Sequence, residues 1–417
     1  MRRLIVACSL VALFLILSNL HTPIRPSADD GQWTPSAGEA GAAVPASAPY
    51  TMIAWNDLGM HCINPRFAEI GVLPPYNTVR AIVIRRGGEP RLVTSGITVA
   101  YGFAWNKTVK GKTDFWQHAE KLFGVKLPEG VGLTGNGLSG NMKPVNNYFE
   151  ATGIPILPYN DDKTWNPYQW GTAIAKDSKG KALATVSFVV PVSDEMRCDK
   201  CHSANGVAAK GINTGTVDGN ILALHDKREN TKLYANRPVL CASCHADAAL
   251  KAPGKAGVPS LSMAMHSKHA SLAAMPSCYD CHPGPKTQCN RSAIEDMGPK
   301  NGSPNCAKCH GDLKKVAADL AKGRQPWLQE PTCAQCHGKA YDTKGVLYRE
   351  AKGHGGVYCV ACHNSPHAWW PSKRNDDNSL PMNLQGNSHA IGYKSCFVCH
   401  TDGKRGEKPP HSGEGDD

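Results

Sequence analysis

Cys198-Asp199-Lys200-Cys201-His202 is the first of seven segments built on one pattern: two cysteines three residues apart, then a histidine. The others are Cys241/Cys244/His245, Cys278/Cys281/His282, Cys306/Cys309/His310, Cys333/Cys336/His337, Cys359/Cys362/His363 and Cys396/Cys399/His400. Together they use fourteen of the chain's seventeen cysteines. Two thiols at i and i+3 can add to the two vinyl groups of one porphyrin, and the histidine is then placed to bind the iron from below. Each copy reads as a site for covalent haem c, seven in all. Zinc knuckles share the cysteine spacing but need no histidine after every second cysteine, and seven knuckles leave one over when paired into four-thiolate sites. A disulfide framework explains neither the spacing nor the histidines.

The histidines outside the motifs carry the next inference. His21 and His411 lie near the two ends, which leaves His61, His118, His225, His266, His269, His354, His367 and His389 for seven irons. Electron-carrying haems hold iron between His and Met or between two His. A near match of eight to seven favours two histidines on each iron. Residues 284–352 contain no spare histidine although the motifs at Cys306 and Cys333 fall there, so their second ligands come from distant sequence and the haems interlock. His266 and His269 can serve two haems from one segment. His367 and His354 lie too close to Cys359/Cys362/His363 to reach the far face of that haem, so each serves a neighbour. His225, His266, His269, His354, His367 and His389 make six second ligands, and His61 is the expected seventh, with His118 in reserve.

Around this array the chain divides by composition. Arg2 and Arg3 precede an apolar run over residues 4–17 interrupted only by Ser9, too short for a comfortable membrane span and suited to a signal peptide over residues 1–20, or else a short anchor. Residues 21–49 are rich in Pro, Ala, Gly and Ser and read as a flexible linker. Residues 50–192 lack the motif and carry five of nine tryptophans and six of eight phenylalanines. Ile97, Val99, Tyr101 and Phe103 alternate as a strand does, as do Ala182, Ala184, Val186, Phe188 and Val190. Residues 78–84 form a β-branched run ending at an Arg85-Arg86-Gly87-Gly88 turn, and a helix is expected around residues 115–123. A sandwich-like or barrel-like β domain is the reading. Residues 193–400, by contrast, contain one phenylalanine, Phe397, and no long aliphatic run. Porphyrins would supply the missing apolar surface, in a haem-packed domain of short helices and loops that is unfolded without its cofactor. Residues 401–417 read as a disordered tail. The fold class expected is α+β, multidomain.

The formal charge of +11 invites a nucleic-acid or membrane-surface reading. Two propionates on each of seven haems largely cancel it, and no phosphate loop or nucleic-acid motif is present.

The motif array resembles the exported multihaem c-type cytochromes of metal-respiring and mineral-respiring bacteria. Asn56-Asp57-Leu58-Gly59-Met60-His61-Cys62, and Cys281-His282-Pro283-Gly284-Pro285 followed by Thr287-Gln288-Cys289, are similar to signatures of a subgroup with a β domain ahead of the haems. That resemblance implies electron relay across or beyond the cell envelope, to a redox protein or an extracellular acceptor, in the periplasm, at the outer membrane surface or outside the cell. Membrane association through the N-terminus and assembly into homo-oligomers or filaments remain open. The other functional class is a multihaem reductase or oxidase of small nitrogen or sulfur compounds at one open haem. Such enzymes often replace a proximal histidine by lysine. No such variant is present and no acid–base set clusters near one motif, so no catalytic residue is assigned and the carrier is favoured. Besides Cys8 in the apolar run, Cys62 and Cys289 remain; they read as an internal disulfide joining the two halves, as buried thiols, or as a bridge to another chain.

Overall fold

The computed structural model describes residues 45, 47–293, 306–393 and 396–402, without the side chain of Cys336. The expected signal segment, nearly all of the linker, Cys8, and all but the first two residues of the tail lie outside the described residues.

Eleven strands are found among the described residues: β1 (Tyr50–Asn56), β2 (His61–Cys62), β3 (Ile70–Gly71), β4 (Asn77–Arg85), β5 (Arg91–Leu92), β6 (Ile97–Phe103), β7 (Gly140–Val145), β8 (Tyr148–Ile154), β9 (Tyr168–Asp177), β10 (Ala182–Ser193) and β11 (Val239–Leu240). The order in the main sheet is β1-β4-β8-β7-β6-β9-β10-β2, with β5 on β4. Every pairing in it is antiparallel except β10 with β2. β1 and β10 stand far apart in this order yet pack against each other, because the sheet curls. Of the sandwich-like and barrel-like readings, the strands follow the second, as one continuous half-barrel sheet: β7 bonds β8 through its second half and β6 through its first, so the main sheet does not split in two.

Local sequence explains the strands. In β6 the side chains of Val99, Tyr101 and Phe103 are buried and those between them are half-buried, the period-two pattern of a sheet with one face on the core. β4 is buried along its whole length except Arg85, as suits its β-branched run between β1 and β8. The helix Phe115–Phe123 buries Phe115, Ala119 and Leu122 on one face and ends at Gly124, whose φ of 70° is the left-handed cap glycine favours.

The apolar core crosses residue 193. Trp55, Phe149, Phe188 and Val190 pack in one cluster with Tyr358, Val360, Trp370, Leu380, Ile391 and Val398. Between residues 198 and 347 the buried apolar side chains among the described residues are Ala209, Leu222, Ala242 and Leu320. Every large apolar side chain that is exposed among the described residues lies in the motif-bearing half, from Val207 (86% exposed) to Phe397 (49%).

Candidate haem-binding centre

Each motif is wound as one helical turn. The histidine N–H donates to the carbonyl of the first cysteine at 2.8 to 3.0 Å for His202, His245, His282, His310, His337 and His400. That turn brings residues i and i+3 to one face, so both thiols point the same way and the imidazole follows beside them. Of the motif cysteines whose side chains are described, Cys281 is exposed and the others are half-buried.

One motif cysteine has a polar neighbour at its sulfur. The sulfur of Cys244 lies 3.8 Å from Ser243 Oγ, a neighbour that the spacing alone does not reveal. The Ser243 hydroxyl also donates to Leu240 O at 2.7 Å, and with a single proton it cannot serve both well. The shorter bond takes the proton, so the Cys244 thiol is not held back from a porphyrin vinyl group. Cys336, expected to be the second thiol of the fifth motif, has its side chain outside the described residues. That motif is placed by Cys333, which packs at the edge of the apolar core, and by His337.

Among the described residues, five motif histidines stand near a histidine from elsewhere in the chain. Ring centroids are 6.3 Å apart for His202 and His269, 6.3 Å for His225 and His245, 6.2 Å for His266 and His282, 6.0 Å for His310 and His367, and 6.2 Å for His354 and His400. A metal-bound imidazole nitrogen sits about 2.0 Å from its ion and the ring centre roughly 1.1 Å beyond, so rings on opposite sides of one ion stand about 6.2 Å apart. The spacing is too wide for stacked rings and would let both imidazoles of a pair hold one metal ion. His266 and His269 project from one helix, Leu261–Ala270, toward different motifs. His367 faces His310, and not His363 four residues before it.

Hydrogen bonds set which ring nitrogen is bare. Nδ1 of His245 lies 2.8 Å from Pro259 O, that of His266 2.7 Å from Ser262 O, that of His269 2.7 Å from Met265 O and that of His400 3.1 Å from Gly88 O. A carbonyl only accepts, so in each ring Nδ1 carries the proton and Nε2 presents its lone pair. For His225 the partner is Thr231 Oγ1 at 2.9 Å, whose own proton goes to Asp226 at 2.6 Å. Such outer partners fix ring orientation and raise donor strength toward a metal. Burial first, then the neighbouring His266 and His310, push His282 down to about 4. Burial, His310 and Arg291 do the same to His367, to about 4. Both are neutral imidazoles, the form that binds metal.

His61 is arranged differently. Its Nε2 lies 2.8 Å from Asp57 Oδ1, and the ring is not part of any of the five pairs. His61, expected as the seventh ligand, has this carboxylate partner among the described residues. His118, the reserve, lies with Nε2 3.7 Å from Asp114. His389 stacks on Tyr393 at 4.3 Å, and the exposed His337 lies 5.6 Å from Tyr341. These four stand outside the five pairs.

The motifs are close to one another. A hydrogen bond from Cys306 pulls the Cys278 thiol down to about 7. Burial raises Cys198, with Cys281 adding to it, and Cys362 likewise with Cys399. Paired imidazoles would hold the iron of a porphyrin. The exposed apolar side chains, such as Val207, Leu328, Val346 and Phe397, would be covered by such an apolar group. Haem c therefore fits the residues present, with the motif cysteines and histidines holding it.

The two sequence signatures meet at the seam between the halves, as the alternative of a bridge between Cys62 and Cys289 required. Cys62 pairs in register with Ser193, and Ser193 Oγ lies 3.0 Å from Thr287 Oγ1. The buried Arg291 donates to Gly59 O at 2.8 Å, to Cys289 O at 2.9 Å and to both oxygens of Asp377 at 2.7 and 3.2 Å. A Cβ on Gly59 would lie 1.8 Å from Pro366 O, so only glycine fits that approach. Cys62 and Cys289 are free thiols here; the internal disulfide among the sequence alternatives is not formed.

Residues 223–311 match the family model for cytochrome c7 and related cytochromes c, and residues 313–364 that for cytochrome c554 and c-prime. No curated protein matches the chain. Two solved structures are similar at a low level. One is a conjugative transposon lipoprotein from Bacteroides eggerthii, at 9% identity and a TM-score of 0.17, over 34% of this chain and 98% of that one. The other is MtrC from Shewanella baltica, at 16% identity and a TM-score of 0.15, over 80% of this chain. The match spans 44% of the MtrC chain. Likenesses this slight carry no argument about fold. The two family matches, with the seven motifs, support a multihaem c-type cytochrome with covalently bound haem c and electron transfer as its chemistry.

Proposed function

We propose that this chain is an exported electron conduit carrying seven haems c, from the motif at Cys198 to that at Cys396. The observation that carries the reading is the set of five opposed histidine pairs, each uniting one motif histidine with one from elsewhere at 6.0 to 6.3 Å. Two imidazoles leave an iron no position for substrate, and such an iron only gains and loses electrons. Haem supplies that one-electron chemistry. The chain's residues attach it, fix the ligand tautomers through Nδ1, and crowd the motifs together. The helix Leu261–Ala270 ties the first motif to the third, and the contact of Cys278 with Cys306 ties the third to the fourth. Export follows from the site of haem c attachment outside the cytoplasm and from the apolar run after Arg2 and Arg3. The acceptor would be a redox protein or an extracellular oxidant.

Pyridine haemochrome analysis with intact mass should give seven covalent haems. Electronic and spin-resonance spectra of the oxidised holoprotein should be dominated by low-spin iron. Bound zinc without haem would end the reading. A stoichiometric high-spin iron that binds carbon monoxide when reduced would support the reductase or oxidase instead.

A further inference from the structure

The pair of His310 and His367 differs from the other pairs in its outer partner. The atom next to His367 Nδ1 is a sulfur, Cys289 Sγ at 3.8 Å, where His225, His245, His266, His269 and His400 have oxygens. His367 itself has a φ of 69°, unusual for a residue with a Cβ, and its carbonyl accepts from the N–H of Arg291 at 2.6 Å and of Ser292 at 3.1 Å. Arg291 also grips the carbonyls of Cys289 and Gly59. One buried arginine thus ties together the backbones of His367, Cys289 and the loop leading to Cys62. The Ser193–Thr287 contact closes the other side. Burial raises the Cys62 thiol and Cys289 raises it further, as neighbouring sulfurs should.

We propose that Cys62 and Cys289 form a thiol/disulfide couple that sets the potential of the haem held by Cys306, Cys309, His310 and His367. The inference rests on the haem reading above. In the dithiol state His367 Nδ1–H donates to Cys289 Sγ, which strengthens the ring as a donor to ferric iron. On oxidation each thiol loses one proton and one electron, and the S–S bond forms. The two electrons go to two ferric haem irons of the same chain, each becoming ferrous, and the protons to water. Bridging draws Sγ of Cys289 toward Cys62 and away from Nδ1. His367 becomes the weaker donor, and the potential of that one haem rises. Cys289 is a positioning residue in this scheme, acting on iron through His367.

The test uses the full-length holoprotein, held either under dithionite or exhaustively oxidised with ferricyanide. Peptide mass mapping after alkylation reads Cys62 and Cys289, and spectroscopically resolved titration reads the potentials. Both cysteines should be alkylated in the reduced sample and bridged in the oxidised one, with one haem of seven shifted upward in the bridged form. Cys62→Ser should fix that haem at its dithiol potential under both treatments. Cys289→Ala should raise it to the bridged value without treatment. Alkylatable thiols after exhaustive oxidation would overturn the proposal, as would bridging that moves no potential. Haem missing from Cys306 and Cys309 by intact mass would overturn the haem reading beneath it.

Discussion

The sheet with the segments docked on it, and the stretch over residues 198–347, are held by different physics. The first buries Trp55, Phe149, Ile82, Trp370 and Leu384 in a continuous core. The second, among its described residues, buries four small or medium apolar side chains and exposes Val207, Leu272, Leu328 and Val346. Apolar burial is the dominant favourable term in folding, so a stretch of this length with so little of it cannot repay its conformational entropy alone. The difference teaches that the line between self-folding and cofactor-folded chain does not fall at the first motif. The motifs at Cys359 and Cys396 belong on the sheet side, through Val360, Ala361 and Val398 in the core.

The largest expected effect follows from that division. Protein prepared without haem should keep the sheet and lose the helices over residues 198–347, since a site formed only with its cofactor takes its stability from it. Hydrogen exchange read by peptide should show protected amides in β4, β9 and β10 and fast exchange in Val217–Glu229 and Leu261–Ala270. Uniform protection, or uniform loss, would break the comparison.

Next is the self-supporting side. Trp55 is 2% exposed and its indole N–H has no partner among the described residues, so Trp55→Ala removes packing and no hydrogen bond. It should cost about 3–5 kcal/mol, measured as a lowered denaturation midpoint of the sheet signal, with the haem spectrum unchanged until unfolding. Smaller in stability, and confined to the cofactor-held side, is His269→Ala. The iron opposite His202 should turn high-spin and rise in potential while the sheet melts unchanged. An unaltered spectrum would remove His269 from the ligand set.

How much of this was legible in the sequence depends on range. The motifs and the alternating strands β6 and β10 are local signals, written within a few residues. That His367 does not face His363 was readable too, because four residues cannot span a porphyrin. The carboxylate partner of His61 was not legible, because Asp57 lies four residues before it and whether the two meet is decided by folded geometry. The surroundings of Cys244 were hidden for a similar reason: the spacing gives its role, while the hydroxyl beside its sulfur depends on how the turn is wound. The choice between sandwich and barrel stayed open in the sequence because alternation reports which face is buried and not whether a sheet closes on itself. The seam at Arg291 was invisible: Gly59, Cys289, His367 and Asp377 are brought together only by the fold.

The smallest effect lies at that boundary and depends on pH. Glu69, just before β3, reaches across to the start of the helix Val217–Glu229. It accepts from Thr216 Oγ1, accepts from Gly219 N–H at 3.0 Å, and pairs with Arg237 at 2.8 Å. Asp218, in the same first turn, is pushed up to about 6, first by burial and then by the charge of Glu69, with Arg66 opposing. A carboxyl whose folded pKa lies above its unfolded value binds its proton more tightly in the folded state. Its contribution is therefore full below about pH 4 and is lost as pH rises through about 6. Near neutrality the ionised Asp218 costs at most about 3 kcal/mol by that linkage. Asp218→Asn should stabilise the haem-loaded protein at pH 7, leave it unchanged at pH 4, and flatten the dependence between, read as denaturation midpoints at fixed salt. An Asn variant that keeps the original slope would show that the helix cap, and not Asp218, carries the pH sensitivity of the seam.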